Sequence, residues 1–351
     1  MSNPEFRERI QKVLDAFLDE QAEALAPLGA DAARLVDEAR LSVSGGKRLR
    51  AAFCWWGYRA VRPEVADEEA LLRACAALEL LHASALVHDD LMDASDTRRG
   101  RPATHRAFEA QHLQARWSGS PTQYGAAAAI LQGDLLLSWA DQLLRGCGLP
   151  LEQVAPALTV FDACRNEVIA GQFLDVSVQA RAKADVDTAM TVLRYKSAKY
   201  SIERPLHIGA ALAGGDAEMQ EALTRFGLPL GEAFQLRDDL LGVFGDPSAT
   251  GKPAGDDLVE GKRTVLVALT LDAASPEDAT ILDEALGTSL NDARVEQLRA
   301  IISGAGADTQ VESVITELSR LAVDSLAASP VSEPAKVALR DLAAAATERV
   351  H

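Results

Sequence analysis

Apolar residues recur along this chain at intervals of three and four, the spacing of helices with a buried face. Residues 5–25 carry Phe6, Ile10, Val13, Leu14, Phe17 and Leu18 with polar residues between them. The same pattern predicts helices over 49–61, 67–92, 124–145, 151–175, 185–198, 201–213, 216–226, 229–243, 262–272, 278–286, 292–303, 308–327 and 332–348. Segments 67–92 and 124–145 are apolar on more than one face, as central helices of a bundle are. Alternating runs of Val, Ile and Thr are almost absent, and aromatics make up 5% of the chain, low for a sheet protein. An all-α fold follows. Connections at 148–150, 214–216, 245–255 and 304–306 are marked by Gly and Pro, but none is long or polar enough to demand a boundary. One domain over 1–351 is expected. The longer break at 94–123 holds a short amphipathic piece and is expected to be mobile or to face a partner.

Two packets of acids interrupt this pattern. HDDLMD, His88 to Asp93, closes the helix at 67–92 and is followed by Arg98 and Arg99. RDDLLG, Arg237 to Gly242, lies in a second apolar helix and is followed by Lys252, Asp256 and Lys262. On a helix Asp89 and Asp93 share a face one turn apart, and Asp90 is turned about 100° from Asp89. Like charges at that spacing repel unless a cation lies between them. Leu80, Leu81, Leu86, Val87 and Met92 flank the first acids, where a solvated face would show mixed charges. Oxygen ligands of this kind suit Mg²⁺ completed by phosphate oxygens. His88 points away from Asp89 and reads as a packed or hydrogen-bonded histidine.

The cations form a matching set. GGKRLR, Gly45 to Arg50, puts Lys47 and Arg50 three residues apart after two glycines, on one side of a starting helix, where they can grip a diphosphate. One of Arg98 and Arg99 can face a metal-bound phosphate and the other a second anion. Lys196, in RYKSAKY, and Lys262, in EGKRT, complete the inventory.

Charge and cysteine content narrow the partners. A formal net charge of -17 disfavours nucleic acid and anionic membranes, so phosphate must be drawn by local cations or metal. Four widely spaced cysteines in apolar surroundings, Cys54, Cys75, Cys147 and Cys164, read as buried free thiols in a reducing compartment. The first ten residues lack the apolar core of a signal peptide, and no uncharged apolar run approaches 18 residues. A cytoplasmic protein with no transmembrane segment is expected. GDPSATGKP, Gly245 to Pro253, is no phosphate loop. It has five residues between Gly245 and Gly251 instead of four, and Pro253 in place of Ser or Thr.

The segments GGKRLR, HDDLMDASDTRRGRPATH, GQFLD, YKS, FQLRDD, TGKPAGDD and EGKRT, running in order from residue 45 to 264, resemble the motif set of the trans-isoprenyl diphosphate synthases. Within that family the chain is most similar to bacterial geranylgeranyl diphosphate synthases. The resemblance implies a bundle of long helices around a central cavity, a homodimer, and two to three Mg²⁺ ions per site. It implies that Asp89, Asp90 and Asp93 bind the allylic diphosphate with Mg²⁺, that Asp238 and Asp239 begin the second metal motif, and that Asp256 completes it through water. Arg98, Lys196 and Lys252 match contacts to the allylic diphosphate. Lys47, Arg50, Arg99 and His82 match the isopentenyl diphosphate clamp, and Lys262 the mouth of the site. Gln172, Gln235 and Phe234 match residues near the reacting carbons. Ser197 stands where threonine is more usual. Gly242 is a larger departure, because the second motif usually ends in aspartate. Asp246 lies one turn beyond and would substitute only with a backbone shift.

By this resemblance the reaction condenses isopentenyl diphosphate with dimethylallyl, geranyl or farnesyl diphosphate and releases pyrophosphate. Ser84 and Ala85, five and four residues before Asp89, are small, which implies elongation past fifteen carbons. Leu81, Leu80, Leu78 and Ala77 lie deeper, and the leucines would form a floor. All-E geranylgeranyl diphosphate is the expected product. A longer-chain polyprenyl synthase, a class I terpene cyclase and a noncatalytic partner subunit are the competing readings. The clamp GGKRLR and the pair Arg98–Arg99 argue against the cyclase. Retention of both acid pairs argues against the noncatalytic subunit.

Overall fold

The computed structural model describes residues 3–183, 185–245 and 255–347. Its helices are α1 (Pro4–Leu25), α2 (Ala30–Ser42), α3 (Leu49–Val61), α4 (Glu68–Met92), α5 (Thr104–Ala115), α6 (Pro121–Arg145), α7 (Leu151–Arg181) and α8 (Val186–Leu193). A π-helix (Arg194–Glu203) runs on into α9 (Arg204–Leu212), followed by α10 (Ala217–Phe244) and the short α11 (Asp256–Val259). The chain then forms α12 (Val265–Ala273), α13 (Pro276–Ala285), α14 (Asp292–Gly304), α15 (Ala307–Ala327) and α16 (Glu333–Thr347). Two two-residue strands, β1 (Thr97–Arg98) and β2 (Arg101–Pro102), make the one sheet among the described residues. The fold is all-α, as the periodicity predicts.

A single domain over 1–351 is the expectation from the sequence pattern. The contacts group the chain into two compact units. The first comprises Met1–Val160, Pro205–Asp216 and Ser332–Ala335, and the second Phe161–Arg204, Ala217–Val331 and Lys336–His351. In the first unit α4 is buried nearly all round, through Leu71, Cys75, Leu78 and Leu80, against α6, α3 and α1. That burial explains its apolar character on every face. The helix is long and apolar enough to cross a membrane, but 78% of its most apolar stretch is buried inside the protein. Asp67 starts α4 by accepting the Ala70 amide at 2.9 Å. In the second unit α10 packs on α15 and the π-helix, and Leu236, Leu240, Val243, Leu258, Leu266, Leu298 and Ile302 form a core. All four cysteines are buried free thiols.

Several boundaries depart from the periodic pattern. The expected break between 226 and 229 is absent, because α10 runs straight through Pro229. A proline removes one backbone donor, and packing on both sides sustains the helix across it. Segments expected as helices at 185–198 and 201–213 are joined by the π-helix into one continuous run. The helix α2 was not expected, since its only large apolar residues are Leu35, Val36 and Leu41. The break at 94–123 contains the hairpin and α5.

Helices α3 and α9 meet backbone to backbone in the first unit. A Cβ on Gly209 would lie 1.9 Å from the Cys54 carbonyl oxygen, and one on Gly57 2.2 Å from that of Leu206. Neither carbonyl can turn aside without breaking its helix. Gly209→Ala is therefore expected to cost about 3 kcal/mol or more, as forced overpacking does. Denaturant unfolding reads this directly, and an unchanged midpoint would show that the two helices are free to separate.

Candidate active site

In the first unit Asp89 and Asp93 are one turn apart, with the Asp93 amide donating to the Asp89 carbonyl at 2.8 Å. Asp93 caps the C-terminus of α4. Both carboxylates stand at the negative end of a helix dipole, an arrangement that favours a cation beside them. Asp90 occupies a different position from its two neighbours. It is buried and gripped by Arg98, whose Nε donates to its Oδ1 at 2.8 Å while Nη2 makes a second, shorter bond. The same Nη2 lies 4.0 Å from Asp89 Oδ2. The Asp90 carboxylate thus holds Arg98 beside Asp89.

The hairpin divides the two arginines. Arg99 and Gly100 both have positive φ, 53° and 72°, the requirement of a tight two-residue hairpin turn. Arg98 consequently points to the aspartates. Arg99 donates to the Ser44 carbonyl at 3.1 Å and lies beside Gly46, where a Cβ would come within 3.4 Å of its guanidinium. Two cationic positions result, one against the acids and one against the glycine-led loop.

That loop is fixed by the arginine between Lys47 and Leu49. Arg48 caps α3 in the left-handed region (φ 53°) and turns inward. It donates to Glu79 Oε2 at 3.1 Å, to Gln11 Oε1 at 2.5 Å and to the Val43 carbonyl at 2.5 Å. Glu79 also accepts the Ala51 amide at 3.2 Å. Lys47 therefore precedes the helix and is exposed, so it does not share a helical face with Arg50 as expected. His82 lies among these cations. Burial, then Arg50, Arg99, Arg98 and Arg48, hold its imidazole well below the ordinary histidine range, so it is neutral.

The two small residues before Asp89 are not equivalent. Ser84 is buried and donates to the Gly133 carbonyl of α6 at 2.8 Å. His88, on the same stripe, lies 3.2 Å from the Ile130 carbonyl and 3.5 Å from Asp134, which makes it the packed histidine expected. Leu81, Ala85 and Asp89 share another stripe at i, i+4, i+8. Only Ala85 of the small pair keeps part of its surface open.

In the second unit Lys196 pairs with Asp175 at 2.6 Å, and Ser197 donates to Gln235 Oε1. Gln235 Nε2 in turn donates to Asp239 Oδ1 at 2.8 Å. Asp239 is pushed up to about 8, first by burial and then by the carboxylates of Asp257 and Asp238, against the Gln235 bond and Lys262. Asp257, the neighbour of the expected Asp256, approaches the second motif. A Cβ on Gly242 would lie 1.9 Å from Asp257 Oδ2, so the glycine leaves room that this carboxylate fills. Lys262 pairs with Asp257 at 3.5 Å and Glu260 at 2.5 Å. Gln172 and Phe234 lie on α7 and α10 of this unit. Lys252 and Asp246 fall outside the described residues.

Among the described residues no three His, Cys, Asp or Glu side chains converge as a ready metal cage. The donors that are present still fit Mg²⁺: all are oxygen, they stand in like-charged pairs, and the charge crowded around Asp239 is of the kind a divalent ion relieves. Mg²⁺ keeps several waters and takes its remaining ligands from phosphate, so no complete protein cage is needed.

The polyprenyl synthetase family model matches residues 34–303. This chain belongs to that family, the trans-isoprenyl diphosphate synthases. It is similar to a geranylfarnesyl diphosphate synthase of Aeropyrum pernix, 33% identical over 75% of this chain and 77% of that protein. It is similar also to a geranylgeranyl diphosphate synthase of Sulfolobus acidocaldarius, 34% identical over 70% of this chain and 69% of that one. A crystal structure of geranylgeranyl pyrophosphate synthase from Corynebacterium glutamicum, complexed with isoprenyl diphosphate and magnesium, shares 41% identity and a TM-score of 0.97 over 100% of both chains. The family fold, an all-α isoprenoid-synthase bundle, is the fold of this chain.

Arg48, Glu79, Asp175 and Asp257 were missed in the sequence. Glu79 had a signal, being the one carboxylate between Glu69 and Asp89 of α4. Asp175 had a weaker one as the last residue of GQFLD. Asp257 had none that separated it from Asp256.

The Gly242 contact predicts a specific response. Gly242→Ala should leave stability nearly unchanged, because the Asp257 carboxylate can swing away, but the Mg²⁺ concentration for half-maximal turnover should rise several-fold. Gly242→Asp should evict Asp257 in the same way and bring no gain in rate. A wild-type Mg²⁺ titration for both variants would remove Asp257 from the metal region.

Proposed function

We propose that the protein condenses isopentenyl diphosphate with dimethylallyl, geranyl and farnesyl diphosphates to give all-E geranylgeranyl diphosphate and pyrophosphate. At the level of the family it is a Mg²⁺-dependent trans-prenyltransferase. The observation that carries the two-diphosphate reading is the hairpin turn, which sends Arg98 to Asp89–Asp90 and Arg99 to the Ser44–Gly46 loop. A cyclase, with one diphosphate, has no use for the second position.

Two to three Mg²⁺ ions, when bound, neutralise charge on the leaving diphosphate. Asp89, Asp93, Asp238 and Asp239 would hold them, with Asp257 in support. Asp90 keeps Arg98 turned to the leaving group, which Lys196 and Lys252 would meet as well. Lys47, Arg50 and Arg99 hold isopentenyl diphosphate, and neutral His82 donates a hydrogen bond there without adding charge. The allylic C–O bond breaks, the isopentenyl double bond forms the new C–C bond, and the lost proton passes to pyrophosphate. Ser197 and Gln235 orient Asp239.

Product length is assigned from Ala85, whose small side chain stands one turn below Asp89, with Leu81 one turn deeper as the floor. Each isoprene unit spans roughly 5 Å, nearly one helical turn. The relatives named above make different lengths, so resemblance alone leaves a longer-chain synthase as the second reading. The protein is taken as a homodimer, because Ile169, Phe173 and Val176, at i, i+4, i+7 on α7, are 56%, 73% and 36% exposed. The four free thiols support a cytoplasmic location.

Purified protein with Mg²⁺, farnesyl diphosphate and isopentenyl diphosphate should yield mainly the twenty-carbon product. Excess chelator should abolish turnover, and Asp89→Ala should lower kcat by about 10²-fold or more. Persistence of the rate in chelator would end the metal assignment. Ala85→Phe should shift the product to fifteen carbons, whereas Ser84→Phe should chiefly destabilise the α4–α6 contact. A twenty-carbon product from Ala85→Phe would move the length-setting wall elsewhere. Phe173→Glu should shift a dimer towards monomer in sedimentation, and an unmoved distribution would place the interface on another face.

A further inference from the structure

Helices with i→i+5 bonds are rare, and short ones gather at functional sites. Here one covers ten residues, Arg194–Glu203, and carries both Lys196 and Ser197. Two glycines let neighbouring helices press against it. A Cβ on Gly171 of α7 would lie 2.4 Å from the Lys196 backbone nitrogen, and one on Gly231 of α10 2.6 Å from the Ala198 carbonyl oxygen. The segment is thus confined from two sides at the residues that matter.

Its last turn is closed twice. The Arg204 amide donates to the Lys199 carbonyl, a five-residue step. The side chains of the same two residues meet on Glu167 of α7. Lys199 Nζ donates to Oε1 at 2.7 Å, while Arg204 donates from Nε to Oε2 at 2.7 Å and from Nη2 to Oε1 at 2.6 Å. In an α-helix, residues five apart diverge by about 140° around the axis. Both side chains would then have to bend back around the helix to reach one carboxylate, so the clamp favours the wider turn. Burial alone would raise the Glu167 carboxyl, but the Arg204 and Lys199 bonds together hold it below the ordinary carboxylate range.

We propose that Glu167 is a positioning residue that locks the π register of 194–203 and so sets where Lys196 and Ser197 present their side chains. The inference rests on the reading that Lys196 meets the allylic diphosphate. Glu167 lies one turn before Gly171 on α7, so a single helix supplies the clamp, the close approach at Lys196 and, one turn further on, the Asp175 partner of Lys196. Loss of the clamp lets the segment tighten towards an α-helix. That rotation would carry Lys196 away from Asp175 and Ser197 away from Gln235.

The test is a kinetic double-mutant cycle on the full-length enzyme with Mg²⁺ and both substrates. Glu167→Gln keeps the size of the side chain and removes its charge. It should lower kcat about tenfold and raise KM for the allylic diphosphate, with KM for isopentenyl diphosphate unchanged. Lys196→Ala should cost at least several-fold less in the Glu167→Gln background than in the wild type, because a displaced lysine has little left to lose. Multiplicative effects, or an equal shift in both KM values, would reduce Glu167 to a general structural role and overturn the inference. Wild-type kinetics for Lys196→Ala would overturn the substrate reading itself, and the inference with it. If Glu167→Gln fails to fold, Lys199→Gln removes one arm of the clamp and is carried through the same cycle with the same outcomes.

Discussion

Carboxylates crowded near the negative end of an apolar helix repel one another, and the helix dipole adds to the penalty. Both units of this chain crowd acids on an apolar helix, and the first does so at the helix end. In the first, Asp89 and Asp93 close α4, a helix with hardly a solvated face along its length. In the second, burial and two neighbouring acids drive Asp239 to about 8. Such charge persists in a folded protein where a cation offsets it, and hard oxygen donors in pairs suit Mg²⁺ bound together with phosphate. A net charge of -17 gives no general attraction for a diphosphate, so capture falls to a few cations placed with care.

Those cations are placed by acids. Asp90 holds Arg98, Asp175 holds Lys196, and Glu79 holds Arg48. Buried ion pairs of this kind add little net stability, since desolvation cancels most of the attraction. What they fix is direction. Arg48, drawn inward by Glu79 and Gln11, sets the start of α3, and with it the positions of Lys47 and Arg50 on either side. Catalysis by charge stabilisation depends on groups that are already oriented when charge develops, so these supporting acids bear on rate more than on stability.

The missing third aspartate of the second motif has a steric explanation. Gly242 has no side chain, and the Asp257 carboxylate occupies the space that a Cβ would take. A residue of the short helix α11 thus brings a carboxylate beside the motif that its own helix does not supply. The substitution changes which element provides the group, and the local charge is retained.

The helical class, the ends of α3 and α4, both aspartate motifs and most of the cations were legible in the sequence, because each depends on local periodicity or on contiguous residues. Asp89 and Asp93 share a face by helical geometry alone. Other features needed the tertiary structure, since they depend on contacts between distant residues. The split of Arg98 from Arg99 follows from a hairpin turn. The separation of Ser84 from Ala85 follows from α6 covering one stripe of α4. Asp257 comes beside Gly242 and Asp239 because α11 packs on α10, and the π-helix exists where Gly171, Gly231 and Glu167 confine it. A sequence specifies spacing along a chain, and these assignments were decided by which side chains the folded backbone brings within a few ångströms.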